Sequence, residues 1–326
     1  MGIRRDERKN TRRPLVTTEL LLVATAFILP SLSPPLFGWI NGLLAIPVFW
    51  VLRRMPGREG MVLLGKALFL SGIVATFLQG FYGFLFSLTL VPLGYCFQQC
   101  SLRGMGPVTA GGMGIAVLTL CWVVFWGIYG WLVSANPYVQ LQNLFDQSFV
   151  QMAELYRQNN LHDVENLYRL EQAISSIRTM IPKILPGILG CTVISTVWVN
   201  LIGGNSLLRR QNPALAPWPK YGSWRLPDNL VWGAIVSMAL LLIGHGNLYT
   251  AGLTGTLIFG LIYFFQGLAV LVYYLDRWHT PKFIRFLVYL LVVVQSYGIL
   301  LLTVTGLADV WIDFRNRGNL TPSAET

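Results

Sequence analysis

Charge is scarce in this chain. Only 12% of its 326 residues are Asp, Glu, Lys or Arg, about half of the roughly 25% that soluble domains carry. So few charges cannot cover a water-facing surface of this size. With 54% hydrophobic residues and a mean hydropathy of +0.56, lipid is the solvent for most of the chain. Histidine and cysteine are also rare. His162, His245 and His279 fall on separate segments, whereas a metal site needs ligands that converge. Cys96, Cys100, Cys121 and Cys191 lie in or beside apolar runs, away from the polar loop where an extracytoplasmic disulfide would form. They read as reduced, structural thiols; Cys96 and Cys100 share a helical face but have no further ligands near them. No Ser/His/Asp or Cys/His set is present, so the chain does not read as an enzyme, and neither a metal nor a cofactor is implied. Gly104, Gly106, Gly111, Gly112 and Gly114 cluster, but a phosphate loop needs a preceding strand and a Lys-Ser/Thr pair, and both are missing. Active transport would therefore need a separate energising partner.

What the chain does have is long apolar runs. A spanning helix needs roughly 20 mostly apolar residues. Nine segments fit: 15–32, 35–52, 61–78, 82–97, 111–133, 183–203, 230–246, 250–275 and 284–307. The shortest separations are Pro34-Pro35 between the first two and Gln79 to Gly83 between the third and fourth, so 35–52 and 82–97 are the segments open to a re-entrant reading. The fold class expected is all-α: a polytopic transmembrane bundle of eight to nine spans. Its parts are a basic head (1–14), an N-terminal membrane bundle (15–133), a polar insert (134–182), a C-terminal membrane bundle (183–307) interrupted by a loop (204–229), and a polar tail (308–326).

Lys and Arg set the orientation. Alternating sides from a cytoplasmic N-terminus puts 17 of the 24 basic residues inside: the head, Arg53/Arg54/Arg58, Arg103, Arg209/Arg210/Lys220/Arg225 and Arg277/Lys282/Arg285. Six fall outside: Arg157, Arg169, Arg178 and Lys183 in the insert, Arg315 and Arg317 in the tail. Lys66 lies within the third span, near enough to its inner end to snorkel. The net charge of +10 is thus a topology signal and not a nucleic-acid patch. The basic head runs into the first span without a small-residue cleavage site, so that span is expected to act as a signal anchor in a bacterial inner membrane. Trp39, Trp50, Trp122, Trp126, Trp131, Trp198, Trp224, Trp232, Trp278 and Trp311 fall mostly near span ends, where indoles anchor at headgroup level.

The insert 134–182 departs from the membrane pattern. Asn136-Pro137 is a helix start. Leu141, Leu144, Phe145, Phe149, Met152, Leu155 and Tyr156 then recur at helical spacing. After a break at Asn159-Asn160 a second face follows: Leu161, Val164, Leu167, Leu170, Ile174, Ile177 and Ile181. This predicts an extracytoplasmic amphipathic helical hairpin. Asp146, Glu154, Asp163, Glu165 and Glu171 nearly balance its four basic residues, so it lacks the cationic face of an anionic-lipid binder. It would pack on itself or on the span ends, cover a cavity as a lid, or dock a membrane-protein partner.

Charges inside spans mark function because hydrocarbon makes them costly. Only Glu19 and Lys66 qualify, near inner ends and without an evident partner, which argues against a carboxylate proton relay. Asn41, Asn200, Gln266 and Gln295 are the buried polar candidates for lining a small-molecule path; the plainer reading is hydrogen bonding between helices. Gly38-x-x-x-Gly42 is a small-residue packing motif. The loop 204–229 is rich in Pro, Trp and basic residues and ends in Arg225-Leu226-Pro227-Asp228, with Pro227 starting the next helix and Asp228 at its positively polarised end.

That constellation resembles the YybS-like family of bacterial multi-pass membrane proteins. The likeness rests on the basic head, the apolar bundle, the amphipathic insert, the Arg225-Leu226-Pro227 element and the three final spans. The resemblance implies a multi-pass inner-membrane protein and brings no established reaction. The N-terminal bundle is somewhat similar to the substrate-binding components of energy-coupling-factor transporters. Two functions follow as expectations: a small-molecule binding or transport component, or a scaffold that holds partners through the insert and the loop.

Overall fold

In lipid a backbone must satisfy its own hydrogen bonds, which leaves a chain of apolar runs little choice but helix. The computed structural model describes residues 3–78, 80–159 and 164–315; among these there are helices, 3-10 turns and loops, and no strand. The side chains of 3–16, 158, 159, 164–167, 170, 171, 293 and 296 also lie outside the description. The expectations for the basic head's side chains, Gln79, Asn160, His162, Arg317 and much of the insert's second face (Leu161, Asp163, Val164, Glu165, Leu167, Leu170, Glu171) therefore fall outside the described residues. The chain divides into two compact units, 1–125 with 193–220 and 126–192 with 221–326.

The first unit begins with α1 (Ile3–Leu32), α2 (Pro34–Phe37), a 3-10 turn (Gly38–Leu43) and α3 (Ala45–Arg54). Then come α4 (Arg58–Phe77), α5 (Phe81–Leu88), α6 (Val91–Leu102) and the first part of α7 (Pro107–Val133). Ser71 on α4 donates to the Ala24 carbonyl of α1 at 3.1 Å. Gly94 lets α6 approach α3: a Cβ there would lie 2.6 Å from Val48. Phe49, Phe97, Leu93, Val197 and Leu201 form the fully buried centre.

The second unit holds α8 (Pro137–Asn159), the start of α9 (Val164–Gln211), α10 (Leu230–Ile243), α11 (Asn247–Arg277), α12 (Lys282–Val294) and α13 (Ser296–Ile312). The Asn136 side chain accepts from the Tyr138 amide at 2.9 Å and starts α8. Arg178 pairs with Asp146 at 2.9 Å, and Tyr138 donates to the Pro182 carbonyl at 3.3 Å. These two contacts set α8 antiparallel to the first part of α9. So exposed a pair adds little stability. Prolines 182 and 186 lie within α9, which runs through both.

Close approach dictates the rest. A Cβ on Gly252 would sit 2.4 Å from the Leu241 amide, one on Gly267 1.9 Å from the Leu302 carbonyl, and one on Gly306 2.0 Å from the Tyr263 carbonyl. Only glycine allows backbones that near. Hence α10 folds back on α11, and α13 lies directly against α11.

Among the described residues five helices are long and apolar enough to cross a bilayer: Arg58–Phe77, Phe81–Leu102, Pro107–Val133, Gln172–Gln211 and Asn247–Arg277. Two bent pairs bring this to as many as seven: Pro34–Leu43 with Ala45–Arg54 (44°), and Lys282–Val292 with Tyr297–Ile312 (100°). Thr17–Leu32 and Leu230–Ile243 are shorter apolar helices; the latter's 14 residues reach about 21 Å against a hydrocarbon core of about 30 Å. So 82–97 belongs to a helical stretch of spanning length, and 35–52 is bent.

The segment 284–307 is not the single straight crossing expected. Gln295 is extended (φ −99°, ψ 117°), and the chain turns there, with Gly298 fitting against Val292, whose Cα would be 2.9 Å from an added Cβ. As a result α13 ends beside the end of α11. Tyr274 donates to the Phe314 carbonyl at 2.9 Å, and Tyr273 to that of Arg315 at 3.2 Å. Arg315 in turn donates to the carbonyls of Gly222 and Trp224 at 2.9 and 2.6 Å. The tail and the later part of the 204–229 loop therefore meet at one end of the second unit. Sorting them to opposite sides by charge fails because three apolar runs were counted as three crossings. A reporter fused after Thr326 and one inserted between Asp228 and Asn229 are expected to give the same sidedness in a membrane-topology assay; opposite sidedness would contradict this arrangement.

Candidate functional site

The buried polar side chains collect where helices break. In the first unit Asn200 is fully buried on α9. Its Oδ1 accepts from the Ile46 amide at 3.1 Å, and its Nδ2 donates to the Gly42 and Thr196 carbonyls at 2.5 and 2.7 Å. The free amide at the start of α3 is thereby capped from another helix. Asn41 lies in the same 3-10 turn, half-buried, and accepts from the Ser87 hydroxyl at 2.6 Å. These two candidates do come together, each with its side chain occupied in joining helices.

Glu19, only 5% exposed, has the partner the sequence left unidentified: Arg54 at 3.1 Å, its guanidinium 5.3 Å from the Trp50 ring centre. Lys66 is exposed. Trp218, which no expectation singled out, is buried. Its ring stacks on Phe49 at 5.5 Å and meets Phe97 edge-on, and its indole N–H donates to the Met105 carbonyl at 2.8 Å. Asn205 clamps its backbone, accepting from the Trp218 amide and donating to its carbonyl, both at 3.2 Å. The Pro-rich context and adjacent apolar runs were the available signal. Trp50, Trp198 and Trp224 are buried as well and Trp122 is half-buried, while Trp39, Trp126, Trp131, Trp232, Trp278 and Trp311 are exposed. The belt reading suits only the second group.

The second unit builds the densest network. Asp309 on α13 is 1% exposed. Its Oδ2 accepts from Gln266 Nε2 at 2.7 Å and from Arg315 at 2.8 Å, and its Oδ1 from the Phe314 amide at 3.2 Å. Gln266 Oε1 accepts from the Leu226 amide at 3.2 Å. Arg225 pairs with Asp313 at 2.9 Å, and Tyr221 donates to the Phe265 carbonyl. The Arg225-Leu226-Pro227 element is thus held against α11 and the end of α13, with Pro227 opening the turn that leads into α10. Of the four candidates for lining a path, only Gln266 joins this cluster, beside the Arg225-Leu226-Pro227 element. Gln295 is exposed at the α12–α13 corner. Asp309 went unnoticed because it falls past the last apolar run; an acid three residues after a helical glycine, with Arg six further on, was its one trace.

Two hydroxyls on α11 differ from their kind. Ser71, Thr76, Ser87, Thr192, Ser237, Thr303 and Thr305 each donate to the carbonyl four residues back, the usual way a helix absorbs a hydroxyl. Thr256 Oγ1 and the hydroxyl of Tyr263 are buried without a protein partner, as are the hydroxyls of Ser31 and Ser101 and Glu19 Oε2, Gln98 Oε1 and Arg209 Nε in the first unit. Seven residues apart, Thr256 and Tyr263 share one face of the helix, and Tyr263 is only 2% exposed. His245 and His279 are exposed, and no group of three or more His, Cys, Asp or Glu able to hold a metal occurs among the described residues. The four cysteines are free, with Cys96 and Cys100 sulfurs 4.0 Å apart.

Breaking the buried pair should be severe, since it strands a charge. Arg315→Met is expected to lower unfolding stability in detergent by about 3 kcal/mol. Asp309→Asn combined with Arg315→Met should recover much of the loss; a double variant no better than the single would contradict a paired, buried charge.

Comparison with known proteins bears on the whole chain. A family model described as predicted membrane protein (DUF2232) matches residues 21–310. No curated protein and no solved structure matches.

Proposed function

The chain belongs to the DUF2232 family of predicted membrane proteins, and we propose that it is a small-molecule binding or transport component of a bacterial inner membrane, without an energising domain or enzymatic activity of its own. The observation that carries this reading is the pair of partnerless hydroxyls, Thr256 and Tyr263, on one face of α11. A buried hydroxyl left unpaired costs free energy that a well-adapted bundle avoids. A polar guest seated against that face satisfies both. The neighbouring polar groups, Gln266 and Asp309, are already engaged by protein, so the two hydroxyls are the groups on this face of α11 left for a ligand. The likeness to the YybS-like family and to vitamin-transporter substrate-binding components belongs to the same reading.

The topology we propose has a cytoplasmic N-terminus and eight crossings, the short α10 among them where the bilayer thins around it, with α12 and α13 as a re-entrant pair. The 204–229 loop and the tail then share the cytoplasmic side, the α8–α9 arm lies outside, and Arg315 and Arg317 join the inside set. A second reading, a scaffold that holds partners, draws on the apolar stripe of α8.

Tyr263→Phe and Thr256→Val remove the hydroxyls without opening a large cavity. Both variants are expected to unfold within about 1 kcal/mol of the parent. In native mass spectrometry from mild detergent, the parent is expected to carry a bound small-molecule mass that both variants lose. A parent with no bound mass, or variants that keep it, would count against the proposal.

A further inference from the structure

The outer surface of α8 carries a pattern that the rest of the unit does not use. Leu141, Phe145, Ser148, Met152 and Leu155 follow one another at spacings of four, three, four and three, the heptad seam of a coiled coil. Phe145, Met152 and Leu155 are 38%, 46% and 60% exposed, and Leu144 beside them is 60% exposed. The face that meets α9 is a different one, marked by Asp146 and its bond to Arg178. The helix therefore has one side bound to its own chain and an apolar seam left open.

We propose that this seam pairs with α8 of a second copy of the chain. The positions flanking it are Gln142, Leu144, Phe149, Gln151 and Tyr156, all uncharged. Coiled-coil partners are selected by charges at these flanks. A neutral flank selects no oppositely charged partner and sets up no repulsion against itself, so an identical helix fits it. Geometry agrees. The contacts to α9 hold α8 along the line of that helix, and α9 continues unbroken through 182 and 186 to pack at Gly187 and Gly190 on Leu257 and Ile258 of α11. The arm thus stands off the end of the unit instead of lying across it. Two copies inserted in the same direction are related by a two-fold axis along the membrane normal, and an isologous contact then sets upright helices parallel, each residue facing its counterpart. Two heptads are short for a free coiled coil; tethering both copies in one membrane raises their effective concentration. The inference gives the scaffolding reading a partner, and its outcome is separate from that of the Tyr263 experiment.

Ser148 lies at the centre of the seam, and Asn143 is exposed on the opposite side of the helix. With the full chain in membranes and mild oxidant, Ser148→Cys is expected to give a disulfide-linked dimer on a non-reducing gel, and Asn143→Cys is not. Adding Met152→Glu to Ser148→Cys should abolish the dimer band while the size-exclusion profile of the monomer stays that of a folded chain. A monomeric Ser148→Cys, or equal cross-linking at 143 and 148, overturns the proposal. So does a polarity-sensitive fluorophore, attached through the thiol of the Ser148→Cys variant, that reports burial in the bilayer of neutral phosphatidylcholine vesicles, since the seam would then lie on lipid.

Discussion

The buried carboxylate of Asp309 is the constraint on which the second unit depends. A charge at 1% exposure in an apolar bundle is tolerable only if its acceptor sites are filled. The fillers come from two stretches: Gln266 from α11, Phe314 and Arg315 from the segment after α13. Gln266 reaches on to the Leu226 amide and Arg315 to the carbonyls of Gly222 and Trp224. One carboxylate thereby fixes where the loop, the long helix and the segment after α13 meet. The glycines at 267 and 306 allow α11 and α13 to come close enough for it to work.

The first unit solves a related problem with neutral groups. Its helices are interrupted between α2 and α3 and after α9, and each interruption frees backbone amides and carbonyls that need partners. Asn200 fills them at the first break and Asn205 at the second. Trp218 adds apolar mass where the loop turns inward. In both units polar side chains are chiefly the fasteners of broken helices. The hydroxyls of Ser31 and Ser101 in the first unit are also unfastened, but those of Thr256 and Tyr263 share one face of one helix, and on that pairing a ligand reading can rest.

Helical character and the position of the apolar runs were legible in the sequence because hydropathy is a local property. The start of α8 at Asn136-Pro137 was legible for the same reason, since its cap lies two residues away. The bend at Gln295 was not, because Lys282–Ile312 is apolar on both sides of the corner and hydropathy carries no direction. The end shared by the loop and the tail was lost with it. The partners of Glu19 and Asp309 were also hidden: Arg54 and Gln266 are 35 and 43 residues distant, and only the fold brings them into reach. Gln266 was legible as a polar residue that lines a path or hydrogen-bonds between helices, and it joins the network around that carboxylate, whereas Tyr263, three residues earlier, drew no notice because an aromatic in an apolar run looks like core.

If one carboxylate ties these segments, they should open together. Hydrogen exchange read by mass spectrometry on the intact protein in detergent tests this directly. The account predicts slow exchange of the Leu226 and Phe314 amides in the parent chain, and in Asp309→Asn a matched acceleration of residues 221–229 and 313–315 with the middle of α11 still protected. Acceleration confined to one of the two segments, or fast exchange at both in the parent, would contradict it.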